Sequence, residues 1–427
     1  MISTLQNLRS VFKEIYCTRD DLVIQSKIKR FDSLIEKFNQ MFHQTDLHLF
    51  STPGRTEIGG NHTDHNHGRV LAASVNLDSI AVAAINQTNT VTVHSEGYPQ
   101  PFVVNLDQLD KVAREVGTTS ALIRGIAARF KQSGFHIGGF NAVVTSDVLP
   151  GSGLSSSASI EVLIGTIFNS LFNNNSIPAQ TIALIGQYAE NEYFGKPCGL
   201  MDQTTCAVGG IITIDFLNPK EPTVRKVHFD FASQNYSLLV VDTGGNHADL
   251  TDEYAAVPQE MKAVARELGA EVCRQIRYHD LIAKINEIRS RVGDRAILRA
   301  IHFIGDNTRV LEQVSALEKG DFKRFLMLVN ESGNSSFKWL QNIYTTKNIR
   351  EQGVALALAV TEKFISDLGE GACRVHGGGF AGTIQVFLPI SAVTDYIQLI
   401  ESIYGTGKAL VLSIRPHGSL YLNQFLS

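Results

Sequence analysis

Long hydrophobic runs are absent from this 427-residue chain: no stretch of eighteen apolar residues occurs, so no membrane-spanning helix is expected. Cysteine is scarce. The five cysteines, Cys17, Cys198, Cys206, Cys273 and Cys373, are odd in number and scattered without C-x-x-C pairing. That pattern excludes a disulfide framework or zinc ribbon and fits a reducing cytoplasm. Charge of one sign is missing too. With 38 Lys+Arg against 42 Asp+Glu the formal net charge is −4, so no basic surplus exists to neutralise a nucleic-acid backbone. The segment from Met1 to Ser10 lacks a charged region followed by an apolar core, and secretion is not expected. Common nucleotide motifs are also lacking. Gly407-Lys408 is followed by Ala409 without the upstream glycine of a Walker A loop, and no H-R-D or D-F-G segment occurs. Gly377-x-Gly379-x-x-Gly382 fits G-x-G-x-x-G literally, but the alternating Thr383 to Leu388 that follows reads as a strand where a dinucleotide site demands a helix. A tight turn near the active centre is the safer reading.

What is present is a globular composition. At 44% hydrophobic and 19% charged residues the chain can bury a large core and is expected to form two domains. Residues 1–45 read as a polar-amphipathic helical extension, with Lys27, Lys29 and Arg30 near Asp32 and Glu36. Residues 46–235 open on short β-like runs such as Val70 to Val75, Ile80 to Ile85 and Phe140 to Thr145, with another strand over Gly209 to Phe216. Residues 236–427 begin with the strand Ser237 to Asp242 and are helix-rich from about Glu253 to Leu368. No repeat, low-complexity tract or linker marks the border.

The most informative segment is Leu149 to Ser159. Behind it Ile160, Leu163, Ile164, Ile167, Phe168 and Leu171 recur at the spacing of one buried helical face, so the first helical turn falls at the serines. Free N–H groups and the positive helix end then face whatever lies over that turn, and Gly151 and Gly153 let the main chain approach an anion closely. Hydroxyls of Ser156 and Ser157 can complete a magnesium shell. The plainer alternative is a Pro-Gly turn with serine capping an ordinary helix.

Two further clusters carry candidate chemistry. Pro53 to Gly68 crowds Arg55, Glu57, His62, Asp64, His65 and His67 between glycines, but the spacing matches neither H-E-x-x-H nor the order of binuclear hydrolases. A metal-dependent hydrolase on His62, His65 and His67 is the rival reading there, and a solvated turn the bland one. In Ala189 to Gln203, Glu190 ends an amphipathic helix and Asp202 follows a Gly/Pro turn. Such carboxylates commonly cap helices; the functional alternative gives Glu190 to magnesium and Asp202 to a substrate proton.

Taken in order, Pro53-Gly-Arg55, His62-Thr-Asp64-x-Asn66-x-Gly68, Leu149-Pro-x-x-Gly-Leu154-Ser-Ser-Ser157-Ala, Pro197-Cys-Gly199-x-Met-Asp202-Gln and Gly377-x-Gly-Phe-x-Gly382 resemble the galactokinase family of the GHMP sugar-kinase superfamily. Arg299 to His302, Gly320 to Phe322 and Asp252 to Tyr254 support it, so the resemblance covers roughly residues 46–427. It implies an α+β, two-domain GHMP kinase fold: a ribosomal-protein-S5-like N-terminal domain, a ferredoxin-like C-terminal domain and the active site between them. It further implies ATP and Mg2+ as cofactors. By the resemblance, Gly151, Gly153, Leu154, Ser155, Ser156 and Ser157 wrap the ATP phosphates, and Glu190 holds magnesium with Ser157. Asp202 takes the proton from the sugar O1 hydroxyl. Arg55 sits beside it, keeping it ionised and countering charge on the moving phosphoryl group; a nearby arginine lowers an aspartate pKa by roughly 1–3 units. His62, Asp64, Asn61, Gly199 and Tyr254 match the monosaccharide contacts. The partner implied is a small sugar, with galactose the leading substrate, for a cytoplasmic monomer away from nucleic acid and membranes.

Departures mark a divergent member. Asn61 stands where the family has an acid that contacts the sugar C6 hydroxyl, and Glu57 where it has asparagine. Gly333 replaces a histidine, and a Ser-Cys-x-Glu-x-Asp stretch is missing around Asn342 to Arg350. Trading a charged hydrogen bond for a neutral one costs on the order of 1 kcal/mol. Removing a carboxylate about 4 Å from a substrate carboxylate relieves roughly 4 kcal/mol at an effective dielectric constant near 20. Galacturonate is therefore an alternative substrate. A non-catalytic sugar-sensing homologue is a further alternative, against which the unshortened serine loop argues.

Overall fold

The structure, a computed structural model, describes residues 5–148, 153–245 and 250–426. Two helices open the chain, α1 (Arg9–Ile15) and α2 (Asp21–Phe42). Asp20 caps α2 by accepting from the Leu22 N–H at 2.8 Å, and left-handed His43 ends it. Ile24, Ile28, Phe31, Leu34, Ile35 and Phe38 recur at helical spacing and are all buried. They pack, with Leu8 and Phe12, on Leu49, Ile80, Val82 and Val143, so the extension covers one face of the first sheet.

That sheet runs β12-β1-β2-β5-β3-β4, built from β1 (His48–Gly59), β2 (Arg69–Ile85), β3 (Thr90–Ser95), β4 (Phe102–Asn105), β5 (Phe140–Ser146) and β12 (Leu420–Tyr421). A branch, β6 (Ile211–Asp215) with β7 (Thr223–Val227), leaves from β2. Val70 to Val75 and Ile80 to Ile85, which read as separate runs, are one long strand. Its Arg69 to Ala73 half pairs with β6 and its Ser79 to Ile85 half with β5, while β1 lies along the other edge. The opposite face carries α3 (Thr119–Gln132), α4 (Ser156–Phe172), α5 (Ala179–Tyr188) and α6 (Met201–Val208), packed through Ile126, Phe130, Val162, Leu163, Ile167 and Phe168.

The second sheet is four-stranded, in the order β11-β8-β10-β9, from β8 (Tyr236–Asp242), β9 (Ala372–His376), β10 (Thr383–Pro389) and β11 (Ala409–Leu412). Around it lie α7 (Thr251–Glu267), α8 (Tyr278–Val292), α9 (Asp294–Glu318), α10 (Phe322–Ser335), α11 (Gly353–Leu368) and α12 (Val393–Tyr404). The sheets share one apolar core, in which Ile58, Leu71, Val148 and Leu154 meet Leu238, Val240, Phe325 and Phe387. This mixed two-part α+β arrangement is the kind that the resemblance implies. The chain's last strand, β12, returns to pair with β1 through Phe50 and Ser51. No helix among the described residues is long and apolar enough to cross a membrane.

Candidate active site

Arg55 lies on β1 between two register irregularities against β2, at Pro53/Arg55 and Glu57/Gly59. Such bulges re-aim side chains beside sites. Its Nε and Nη2 donate to Asp202 Oδ1 and Oδ2, each at 2.7 Å, and its Nη1 donates to the Gly153 carbonyl. Its backbone N–H donates to the Leu154 carbonyl at 3.0 Å. One arginine therefore grips the acid in a two-pronged ion pair and the serine loop from both sides. Asp202 occupies the first turn of α6, where the helix end favours negative charge. Burial pushes its carboxyl up, but the Arg55 guanidinium and the Ser155 hydroxyl outweigh burial and hold it below the ordinary range.

The loop entering α4 is conformationally demanding. Gly153 has φ +71 and Ser155 φ +60, and a methyl group on Gly153 would lie 2.3 Å from Thr383 Oγ1. Only glycine fits the first position. Leu154 turns its side chain into the core between the sheets, Ser156 begins α4, and the predicted Gly151 lies outside the described residues.

Glu190 sits in a π-helical turn, Ala189–Phe194, a distortion that recurs at functional positions. Its Oε1 accepts from Ser157 Oγ at 3.2 Å and Lys196 Nζ at 3.3 Å, and its Oε2 from Gln203 Nε2 at 2.9 Å. Ser157 and Glu190 form an all-oxygen donor pair at the start of α4, and buried Glu161 Oε1 nearby has no hydrogen-bond partner among the described residues. That chemistry fits a hard cation such as Mg2+.

The residues matched to sugar contacts meet around the second glycine loop. His62, left-handed at φ +57, donates from Nε2 to the Gly378 carbonyl at 2.9 Å, and Tyr254 donates to the Gly379 carbonyl at 2.8 Å. Burial, opposed by that backbone bond, lowers His62 to about 4, so the ring is neutral at pH 7. Asp64 faces Gly199, where a methyl group would lie 1.7 Å from the carboxylate oxygen Oδ2. Asn61 is fully buried. Its Nδ2 donates to Glu57 Oε1 at 3.0 Å and the Gly377 carbonyl at 2.7 Å, while its Oδ1 accepts from Asn342 Nδ2 at 2.8 Å and Ser336 Oγ at 3.2 Å. Its amide is therefore saturated from within the protein. His62, His65 and His67 join no group of three metal-ligating side chains among the described residues.

Several side chains here escaped the sequence reading. Arg374 on β9 donates to Glu57 Oε1 at 2.6 Å and to the Ile58 carbonyl at 2.8 Å. Burial nevertheless carries Glu57 up to about 7 against the lowering by Arg374 and Arg55. Buried His376 accepts at Nε2 from the Glu57 N–H at 3.2 Å, its Nδ1 lying 3.0 Å from Thr383 Oγ1. Nothing local in the sequence marks Arg374 or His376, because both stand on β9 of the second sheet and reach Glu57 through their side chains across the contact between the sheets. Glu161 was findable: it lies four residues after Ser157, on the same helical face. Burial and the Glu190 charge hold its carboxyl well above the ordinary range.

The chain matches the family of GHMP kinases, N-terminal domain, over residues 121–210, and the galactokinase galactose-binding signature over residues 36–85. Its fold is similar to that of Lactococcus lactis galactokinase complexed with galactose, at TM-score 0.79 and 24% identity, covering 91% of this chain and 99% of that one. It is also similar to L. major mevalonate kinase in complex with R-mevalonate, at TM-score 0.58 and 16% identity, covering 87% and 97%. Streptococcus pneumoniae phosphomevalonate kinase in complex with phosphomevalonate and AMPPNP gives TM-score 0.58 at 12% identity, covering 87% and 99%.

Proposed function

We propose that this chain, which matches the GHMP kinase N-terminal domain and the galactokinase galactose-binding signature and shares its fold with a galactokinase, is a galactokinase-like sugar kinase that transfers the γ-phosphoryl group of ATP to the anomeric O1 hydroxyl of D-galactose, giving galactose 1-phosphate and ADP. The observation that carries the reading is the Asp202–Arg55 pair, closed at 2.7 Å on both carboxylate oxygens beside the start of α4. A carboxylate held ionised at neutral pH is available as a base. Asp202 accepts the O1 proton as the O1–phosphorus bond forms and the bond from phosphorus to the ADP oxygen breaks. Arg55 counters charge on the moving phosphoryl group; phosphoryl transfer needs alignment and neutralisation more than covalent help. Backbone N–H groups in the first turn of α4 address the phosphates. Ser157 and Glu190 would hold Mg2+, which supplies charge neutralisation on the nucleotide. His62, Asp64 and Tyr254 orient the sugar. An intact base pair next to an intact magnesium pair supports turnover rather than passive sugar sensing.

A second reading rests on a specific observation: Asn61 is neutral and saturated, and Glu57 behind it is paired with Arg374 at 2.6 Å. No free carboxylate remains at the end of the site matched to sugar C6, so galacturonate meets no like charge there. An ADP-release assay over galactose, N-acetylgalactosamine, arabinose, glucose and galacturonate decides between them. Galactose is expected to give the highest kcat/KM, and a higher value for galacturonate reverses the assignment. In the same assay Asp202→Asn is expected to cut turnover by about 10²–10⁴ with nucleotide affinity nearly intact. Wild-type turnover in that variant removes Asp202 from the chemistry.

A further inference from the structure

Behind the Ser157–Glu190 pair lies an arrangement that phosphate binding itself does not require. Glu161, fully buried on α4, accepts from Gln203 Nε2 at 2.9 Å, and the same nitrogen donates to Glu190 Oε2 at 2.9 Å. One amide nitrogen thus spends both its hydrogens on two carboxylates. Gln203 follows Asp202 on α6, so the amide ties the helix carrying the base to the turn carrying Glu190. The space is built for this. On α5, Gly186 lies against the pair, and a methyl group there would come within 3.2 Å of Glu161 Cβ and 3.4 Å of Gln203 Cγ. A carboxyl group buried this completely depends on its hydrogen bonds to offset the loss of water. Glu161 Oε1 and Gln203 Oε1 have no hydrogen-bond partner among the described residues, so the Nε2 bridge is the contact that anchors both.

We propose that Glu161 is a positioning residue: through the Gln203 amide it fixes the carboxylate of Glu190 and so sets the affinity of the site for the divalent cation. The inference rests on the reading of Glu190 as a magnesium ligand. Outer-shell partners of this kind orient ligating carboxylates, and their loss costs roughly 10- to 100-fold in metal affinity. Ser157 approaches Glu190 from the opposite side, on Oε1. Without the bridge on Oε2 the carboxylate is free to rotate away from the serine loop.

The test uses Mn2+, titrated against the full-length protein in saturating ADP, with protein-bound ion resolved from free and ADP-bound ion by its electron paramagnetic resonance line shape. Glu161→Leu and Gln203→Leu are expected to weaken Mn2+ binding about tenfold or more. Glu161→Gln, which keeps an acceptor for Gln203 Nε2, is expected to stay within about threefold of wild type. Galactose affinity, measured calorimetrically without metal, is expected to be unchanged in all three, which a general loss of structure would not permit. Glu190→Ala is the control. If it binds Mn2+ as wild type does, the magnesium reading fails and the relay with it. If Glu190→Ala is weak while Glu161→Leu and Gln203→Leu match wild type, the relay alone is overturned. A Glu161→Gln variant as weak as Glu161→Leu likewise overturns it. Should Gln203→Leu fail to fold, Gln203→Asn, too short to bridge both acids, replaces it with the same expectation.

Discussion

Ser155 Oγ donates to Asp202 Oδ2 at 2.7 Å, the same oxygen that accepts from Arg55 Nη2 at 2.7 Å. The residue just ahead of α4 and the residue assigned as base are thus one hydrogen-bonded unit, with the arginine closing it. Burial alone would push the acid up, and Arg55 is the largest influence holding it down. Replacing Arg55 by Met therefore releases the carboxyl upward. The acid limb of the kcat/KM profile is expected to move toward neutral pH by on the order of 1–3 units, on top of a loss of rate. An acid limb that stays put while rate falls would assign Arg55 to the phosphoryl group alone.

Gly199 touches Asp64, and a methyl group at 199 would lie 1.7 Å from the carboxylate oxygen. Gly199→Ala must displace the Asp64 carboxylate. A misplaced charged hydrogen bond costs about 1.5–3 kcal/mol, so sugar KM is expected to rise roughly tenfold to a hundredfold. KM for ATP should be unchanged, since the serine loop is held by its own bonds to Asp202 and Arg55. A parallel rise in both constants would show instead that the change disturbs α6 as a whole.

Much of this was legible in the chain because local rules and tertiary structure agree. The periodicity of Ile160 to Leu171 and the serines ahead of it gave α4 and its starting point, and ordered motifs gave the fold. The interruption in β2 misled for a physical reason. Asn76-Leu77-Asp78-Ser79 reads as a polar break, yet Asp78 and Ser79 are fully buried, their polarity satisfied by residues far away in sequence. Arg374 was missed for the same reason: a buried charge announces itself only through partners that the fold supplies. Asn61 was read as a sugar contact on motif position, and its four protein hydrogen bonds were invisible without Asn342 and Ser336.

Glu57 and Asn61, bonded at 3.0 Å, hold an acid and an amide in the reverse order from the related sugar kinases. Changing Asn61 alone to Glu sets two carboxylates against each other in a buried site with one arginine between them. A drop in stability of about 1–3 kcal/mol is expected. The paired change, Glu57→Asn with Asn61→Glu, restores one acid and one amide. It is expected to recover most of that stability and to raise the galactose-to-galacturonate ratio of kcat/KM. Urea unfolding of both singles and the double measures the coupling. Additive effects would mean that the two positions do not act as a pair.

Asp78 ties the N-terminal helices to the body of the enzyme. Its carboxylate accepts from Tyr16 at 2.7 Å, from Arg30 at 2.5 Å and from Arg415 at 3.4 Å, while Lys27 and Arg30 also reach Asp147, at 2.8 and 3.1 Å, at the root of the serine loop. Burial pushes Asp78 up, but Arg30, Arg415 and Lys27 prevail and lower it to about 2. The unfolded chain titrates this group near 3.9, so its folded pKa is depressed and the contribution to stability is present at pH 5 and above. It fades as pH falls from about 5 toward 2, and at neutral pH it amounts to roughly 2–3 kcal/mol. Asp78→Asn leaves the buried Arg415 guanidinium without its carboxylate and takes from Arg30 one of its two, which costs several kcal/mol at pH 7. The variant should also lose the part of the acid dependence that Asp78 supplies. Urea midpoints of both proteins from pH 7 to pH 3 are therefore expected to converge as the acid range is approached, and a gap that stays constant across that range would mean that Asp78 is not the titrating anchor.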